Sequence, residues 1–424
     1  MDPNREAAFR VLLRIERDSA YSNIELNRIT SGEGSLNEAF VRELVYSVLR
    51  NRKYLDYMLR QLVAKGYDRL QPEVKTILRM GASQIGFFGS VPDYAAVSEQ
   101  AALCRTAAPG RTGFVNAVLR NYIRKKDKLK KPEQEKDPVT RLLNQYSCER
   151  WIVKKWIRMF GEERAESLLA AGNRTPELCV SVNTLKIGSE ELMERLTREG
   201  FRCRREGDAL FVRGSGLIEG EAFREGLFFV QDQSSILATE ALGAQPGERI
   251  IDPCAAPGGK SFQLALRMKD QGTIFSMDLY EHRMELLRKE AERLGITMIE
   301  TKVRDAEDPI PELAGTADRV ICDVPCSGLG VIRRKPEIKY RKLPDGGCAL
   351  AETQLRILLS SSSYVRPGGV LMYSTCTIND MENEGVAERF LEKNAGFRKL
   401  AERQLLPDTD GCDGFYYCVM KKEG

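Results

Sequence analysis

The sequence carries a single histidine, only two tryptophans, and eleven cysteines without one Cys-x-x-Cys pair. One imidazole excludes metal centres built on several histidines and leaves little room for a histidine proton shuttle. That residue, His282, stands in a charged helical stretch and reads as solvent-facing. The nearest cysteine pairs, Cys322-x3-Cys326 and Cys412-x5-Cys418, do not compose a four-ligand set, so no metal is expected. No hydrophobic run is long enough to span a bilayer. The chain starts with charge at Asp2, Arg5 and Glu6, which is not a secretory pattern. A cytoplasmic protein with reduced thiols and no membrane partner is expected.

Two nucleotide-binding signatures are also missing. The stretch Asp252-Pro253-Cys254-Ala255-Ala256-Pro257-Gly258-Gly259-Lys260-Ser261 ends like a phosphate-binding loop, but Cys254 stands where that loop needs its first glycine. A dinucleotide G-x-G-x-x-G is absent. What is present is a strand, Arg249–Ile251, a glycine turn, and a helix-like run from Phe262 to Met268. That geometry makes a ligand cradle at the edge of a parallel sheet, one that works by close backbone approach.

At 424 residues the chain has room for two or three domains. The net charge of +4 is uneven: residues 1–130 hold 22 Lys/Arg against 14 Asp/Glu, a local excess of +8. A basic N-terminal third points to a polyanion, most simply nucleic acid. Rows such as Leu36/Phe40/Leu44/Val48 and Tyr54/Met58/Leu62 have helical period, with breaks at Gly32/Gly34, Gly66, Gly86 to Pro92 and Pro109-Gly110. The run Arg120 to Lys131 is the densest in positive charge and is expected to meet an RNA backbone, with Tyr122 placed to lie against a base. Pro132 to Pro138 reads as a polar linker, and Trp151 to Phe160 as a further helix. The β-α-β-β pattern over 178–230 suggests a small α/β module of ferredoxin or RNA-recognition type, without the aromatics of a true RNA-recognition sheet. From 249 onward, strand and helix alternate as in a doubly wound α/β domain, closed by an antiparallel pair near Phe397 and Phe415. The expected division is an all-α domain at 1–130, linker helices and the small module at 140–235, and a Rossmann-like domain at 236–424.

Ligands of such sheets bind at the C-terminal strand ends. Those ends carry Asp252, Asp278 (twenty residues after Gly258), Asp305, Asp323 and Cys326, and Cys376. Carboxylates suit a ligand with a ribose diol, an amino-purine and a positive charge, which describes S-adenosylmethionine. Lys260 is the one nearby cation and serves the cofactor carboxylate or the substrate. Two thiols at the same rim suggest nucleophilic chemistry. Carbon C5 of a pyrimidine is too weak a nucleophile to accept a methyl group until a thiolate adds at C6. One cysteine must attack and the other assists proton removal or release, with Asp323 placed near N3.

Three motifs, Asp-Pro-Cys-Ala-Ala-Pro-Gly-Gly-Lys at 252–260, Asp-Val-Pro-Cys-Ser-Gly-Leu-Gly at 323–330 and Tyr-Ser-Thr-Cys-Thr-Ile at 373–378, resemble the RNA cytosine-C5 methyltransferases of the RsmB/Sun (NOP2/NSUN-related) family. Gln231 to Ser235 and Glu382-Asn383-Glu384 fit its flanking motifs, and Leu44 to Arg50 with Val115 to Arg120 looks like its NusB-like helical domain. The resemblance spans nearly the whole chain. It implies Cys376 as nucleophile and Cys326 as the residue that releases the covalent adduct. It also implies cofactor binding by Cys254, Ala255, Ala256, Pro257, Gly258, Gly259, Lys260, Asp278, Asp305 and Asp323, with Asp323 also near the base. The implied substrate is a cytosine of 16S ribosomal RNA, flipped from its stack. A monomer is expected. Ser181-Val182-Asn183 replaces a common Arg-Val-Asn, so loss of an RNA-facing charge is expected there. Asp410 to Gly414 varies a Thr-Asp-Gly-Phe pattern. Two other readings differ in kind. A DNA cytosine-C5 methyltransferase would attack through the Pro-Cys thiol and lack the Thr-Cys partner. An RNA-binding assembly factor would carry a degenerate α/β domain.

Overall fold

The computed structural model describes residues 1–18, 20–30, 36–63, 66–343 and 347–424. The chain folds as two compact units: Met1–Arg174 with Ile332–Lys342, and Thr175–Val331 with Leu343–Gly424. The expected break at Gly32 and Gly34 lies outside the described residues.

The first unit is helical, with α1 (Pro3–Asp18), α2 (Ser22–Thr30), α3 (Glu38–Arg50), α4 (Arg52–Arg60), α5 (Pro72–Phe87), α6 (Asp93–Ala107), α7 (Thr112–Lys125), α8 (Pro138–Gln145), α9 (Arg150–Phe160) and α10 (Glu162–Asn173). Helix α3 starts where the Asn37 side chain accepts from Phe40 N at 3.1 Å, and it buries Val41, Leu44, Val45, Val48 and Leu49. Helix α5 opens on Pro72, whose missing N–H costs nothing in a first turn. A Cβ at Gly81 would meet Leu119 Cδ1 at 2.6 Å, so the absent side chain is what lets α7 pack closely on α5. Arg79, buried on α5, is compensated by both Asp56 oxygens at 2.7 and 2.9 Å and by Glu16 at 2.8 Å.

On α7, Val115, Val118, Leu119 and Tyr122 recur at helical spacing and all face the core. Tyr122 is 3% exposed, so it does not stand ready to stack on a base. The same spacing puts Arg120 and Arg124 on the opposite, solvent-facing side of the helix. Beyond α7, Lys126 Nζ donates to Ile85 O and Lys130 pairs with Glu135, so part of the basic run is spent on structure. Arg120, Arg124, Lys125 and Lys128 remain exposed.

The segment Ile332–Lys342 belongs to this unit although its neighbours in sequence do not. Lys339 is 1% exposed, and its ammonium donates to Arg50 O at 2.8 Å, Tyr146 O at 3.0 Å and Asn173 Oδ1 at 2.6 Å. Three oxygens satisfy the three ammonium donors, yet burial still lowers its pKa to about 8. Glu337 accepts from the backbone and hydroxyl of Ser22, and the Trp151 indole donates to Arg341 O.

The second unit holds two sheets. The smaller is antiparallel and contains β1 (Leu178–Val182), β2 (Arg202–Glu206), β3 (Ala209–Arg213) and β4 (Phe228–Val230) in the order β2-β3-β1-β4, with α11 (Ser189–Arg198) and α12 (Glu221–Arg224) as crossovers. This is the ferredoxin-like arrangement expected from the sequence. Ser181 is buried, its hydroxyl bonded to Gln263, so position 181 faces the protein interior and not a solvent-borne RNA. Asn183 is buried as well and bridges Gly226 O and Leu294 O.

The larger sheet runs β10-β11-β9-β8-β5-β6-β7. Its members are β5 (Arg249–Asp252), β6 (Thr273–Asp278), β7 (Ile299–Val303), β8 (Ala317–Asp323), β9 (Val365–Thr375), β10 (Phe397–Leu405) and β11 (Phe415–Lys422). The strands β5 to β9 are parallel, and β11 pairs antiparallel with both β9 and β10. Helices α13 (Gln233–Leu242), α14 (Gly259–Arg267), α15 (Glu281–Leu294), α16 (Cys348–Ser362) and α17 (Glu384–Lys393) complete the Rossmann-like unit. After β7 the chain crosses to the other side of β5, so the strand order reverses between β5 and β8. That reversal opens a crevice at their C-terminal ends, where the turn after β5 meets the loop after β8.

Candidate active site

Four loops build the site, each beginning where a buried parallel strand gives way to polar residues. The first is the turn after β5. Ala255 N donates to Met277 O at 2.8 Å, tying the turn to the end of β6. Ser261 Oγ donates to Asp252 Oδ2 at 2.8 Å and lies 2.9 Å from Ser276 Oγ. Burial, reinforced by the charge of Asp323, raises the Asp252 carboxyl to about 7 against the opposing bond from Ser261. Asp252 is thus a buried peg beneath the turn. Gly258 has φ +109°, and a Cβ there would fall 2.3 Å from the Phe262 ring, so the turn closes only with glycine. Ala255, Ala256 and Gly258 are buried, Cys254, Gly259 and Lys260 are half-buried, and Pro257 is exposed. Burial pushes the Cys254 thiol well above its ordinary range, which marks it as packing.

Asp278 ends β6 and is 5% exposed. It accepts from Tyr280 N at 3.2 Å and pairs with Arg283, while Leu279 and Tyr280 beside it keep about half their surfaces open. A carboxylate beside open apolar surface, next to a turn of small residues at the start of α14, has the chemistry that suits an adenosine, an acid for a ribose diol and an apolar pair for a purine. Asp305 follows edge strand β7, is exposed, and accepts from Glu307 N in a local turn.

Lys260 lies elsewhere in the cradle than its sequence neighbours. Its ammonium donates to Asp323 Oδ2 at 2.6 Å, reaches Ser235 Oγ at 3.5 Å, and stands 4.8 Å from the Phe415 ring centre. Ser374 Oγ donates to the other Asp323 oxygen at 3.2 Å. Burial would lower the Lys260 pKa; Asp323 outweighs it, with Cys376 contributing, and the net shift is upward. Lys260 therefore stays a cation within reach of the thiol chemistry.

Cys326 and Cys376 are brought together: their sulfurs are 3.3 Å apart. The Cys326 thiol is raised well above its ordinary range, first by its hydrogen bond with Cys376, then by burial, and further by the nearby charges of Cys376, Glu382 and Asp323. Either sulfur can donate in this contact, and the upward push on Cys326 favours the proton on that side. The loops that carry them are laced together. Gly330 N donates to Cys376 O at 3.0 Å, Gly414 N to Gly330 O at 2.9 Å, and Ser327 Oγ and Thr377 Oγ1 are 2.7 Å apart. A Cβ on Gly330 would sit 1.9 Å from Gly414 O, so three backbones meet here only because glycine is present. The varied Asp410 to Gly414 segment joins through Asp413, whose N–H donates to Asp232 at the start of α13.

Sequence reasoning missed the bond from Lys260 to Asp323 and the buried Gln354, and it noted Thr377 and Glu382 only as motif members, not as buried polar residues behind the thiols. Glu382 carried a signal, because an acid placed six residues after a reactive cysteine and ahead of a helix invites inspection. Gln354 carried none, since it lies inside an ordinary amphipathic helix. His282 is exposed, as its charged surroundings imply.

Residues 239–421 match a family described as 16S rRNA methyltransferase RsmB/F, residues 2–124 the NusB family, and residues 149–214 the ferredoxin-like domain of RsmF/B-like methyltransferases. The chain is 34% identical over 444 residues to a probable ribosomal RNA small subunit methyltransferase B of Bacillus subtilis, covering 99% of each. It is 33% identical over 444 residues to a protein of the same description from Synechocystis, again covering 99% of each. The solved structure of PH0851 superposes with a TM-score of 0.83 at 24% identity, over 100% of this chain and 99% of that one, a likeness of fold. Among the described residues no helix is long and apolar enough to cross a membrane.

Proposed function

The chain belongs to the RsmB/F family of 16S ribosomal RNA methyltransferases, and on that premise we propose that it methylates carbon C5 of a cytosine through a covalent bond from Cys376 to C6. The observation that carries the reading is the thiol pair, 3.3 Å apart beside the bond between Lys260 and Asp323. S-adenosylmethionine is the cofactor, and when bound it supplies an electrophilic methyl group. Residues 254–259 and Asp278 would hold it, with Asp305 at the outer edge of the same rim. Asp323, bonded to Lys260, serves the base.

The residues divide the work by their surroundings. Lys260 lends positive charge to the Cys376 thiolate, which adds to C6 of the flipped cytosine and breaks the C5–C6 double bond. Asp323 relays a proton from Lys260 to N3 as negative charge builds there, and the proton returns to Lys260 when the C6–S bond breaks. C5 is now an enamine carbon and can accept the methyl group. Release needs the C5 proton to leave and the bond between C6 and sulfur to break. Cys326 passes its proton to the departing Cys376 sulfur and takes up the C5 proton. Both sulfurs end protonated, and one proton is returned to water before the next cycle.

Substrate RNA is proposed to lie along the exposed Arg120, Arg124, Lys125 and Lys128, whose contacts position the backbone without selecting sequence. The division at 1–130, 140–235 and 236–424 is proposed as the functional one, and the enzyme as a cytoplasmic monomer. Bisulfite sequencing of 16S RNA from cells with and without the protein tests the reading. The expected result is one or a few cytosines protected from conversion only when the protein is present. Unchanged conversion throughout the 16S RNA overturns it.

A further inference from the structure

Glu382 is fully buried, and among the described residues each donor that meets its carboxylate is neutral. Oε2 accepts from Ser327 N at 2.8 Å and Gln354 Nε2 at 3.0 Å, and Oε1 accepts from Asn379 Nδ2 at 2.6 Å. A buried carboxylate held only by neutral donors is expensive, and a glutamine would fill the same volume without the charge. The donors show where the charge is directed. Ser327 follows Cys326 in sequence, and Gln354 also donates to Pro325 O at 2.9 Å, just before it. Both flanks of Cys326 are therefore gripped from Glu382 and its partner. Glu382 itself lies on the loop that leaves Cys376, and Tyr373 Oη donates to its carbonyl at 2.5 Å.

We propose that Glu382 is a positioning residue: it holds the Cys326 loop against Cys376, and its charge decides which of the two sulfurs carries the proton. The charged and titratable groups that share the pocket are Cys376, Asp323 with its partner Lys260, and Tyr373. Lys260, bonded to Asp323 at 2.6 Å, interacts with the charge of Cys376, while Glu382 grips the residue after Cys326 through Ser327 N at 2.8 Å and, together with Asp323, pushes the Cys326 thiol up. A cation toward one sulfur and an anion toward the other separate the two thiols in the sense the reaction needs, thiolate at Cys376 and thiol at Cys326. Mispositioning of Cys326 slows the step in which its proton reaches the departing sulfur, so the covalent adduct persists.

This inference rests on the cysteine roles proposed above, and its test separates the two. Iodoacetamide reacts with thiolates, and peptide mass spectrometry reads each cysteine against pH in the full-length protein. In the wild type, Cys376 is expected to alkylate first, with Cys326 following only at higher pH. In Glu382→Gln the midpoint for Cys326 should fall by about one pH unit, and release should slow by roughly tenfold or more, leaving an RNA adduct that survives denaturing electrophoresis. Gln354→Met loosens the same loop without touching the charge; it should accumulate the adduct with the alkylation profile unchanged. If Glu382→Gln does not fold, Gln354→Met decides the positioning claim alone. An unchanged Cys326 profile in folded Glu382→Gln, or no adduct in Gln354→Met, overturns the inference. Cys326→Ala is the control: an adduct there with none in the Glu382 and Gln354 variants refutes only the inference, while no adduct there refutes the cysteine roles themselves.

Discussion

Cys376→Ala should form no 5-methylcytosine and no covalent RNA complex, a loss of at least about 10⁴-fold in methyl transfer. The size follows from the chemistry. Without a sulfur at C6 the ring stays aromatic and C5 remains a poor nucleophile, so neither the cofactor turn nor the RNA surface can compensate. Cys326 stands 3.3 Å away but does not substitute, because its surroundings keep it protonated where Lys260 favours the thiolate of Cys376. Transfer of labelled methyl groups to 16S RNA measures the loss, and equilibrium binding of S-adenosylmethionine, expected to be unchanged, shows that the fold survives. Residual methylation at C5 would assign the attack to another thiol, as in the DNA-type reaction.

Cys326→Ala should fail differently. Addition and methyl transfer proceed, but the departing sulfur finds no proton, so turnover falls by roughly 100-fold while protein and RNA remain joined. In the presence of cofactor this variant should show a shifted band on denaturing gels, with up to one RNA per protein. The double variant with Cys376→Ala should show no such band. Normal turnover of Cys326→Ala without an adduct would remove Cys326 from the release step.

The catalytic sheet was readable because its chemistry follows burial. Strands Arg249–Asp252 and Ala317–Asp323 run through buried apolar cores, Ile250-Ile251 and Val320-Ile321-Cys322, then switch abruptly to Asp, Gly and Cys, and that switch marks the strand end and the site together. Single side chains inside regular helices were less readable. Tyr122 looked available amid seven basic residues, yet helical spacing from Val115 and Leu119 sends it inward. Ser181 looked like a lost RNA contact until its burial against Gln263 appeared. The excursion Ile332–Lys342 left no pattern at all. Its anchor is a lysine, and hydrophobic period records buried apolar residues, not a buried cation whose three partners come from residues 50, 146 and 173. Gln354 was hidden for the same reason, and so was the role of Glu382: a buried polar network depends on contacts distant in sequence.

The central claim is that one particular sulfur, Cys376, bonds to C6 of cytosine. The wild-type enzyme can be given 16S RNA containing 5-fluorocytosine together with S-adenosylmethionine. Fluorine at C5 cannot leave as a proton, so the reaction stops after methyl transfer with the base still attached. Digestion and mass spectrometry then identify the cysteine that carries the nucleotide. The account predicts a methylated fluorocytosine on Cys376 and none on Cys326; attachment to Cys326, or active enzyme on normal RNA that never traps the fluorinated one, would contradict it.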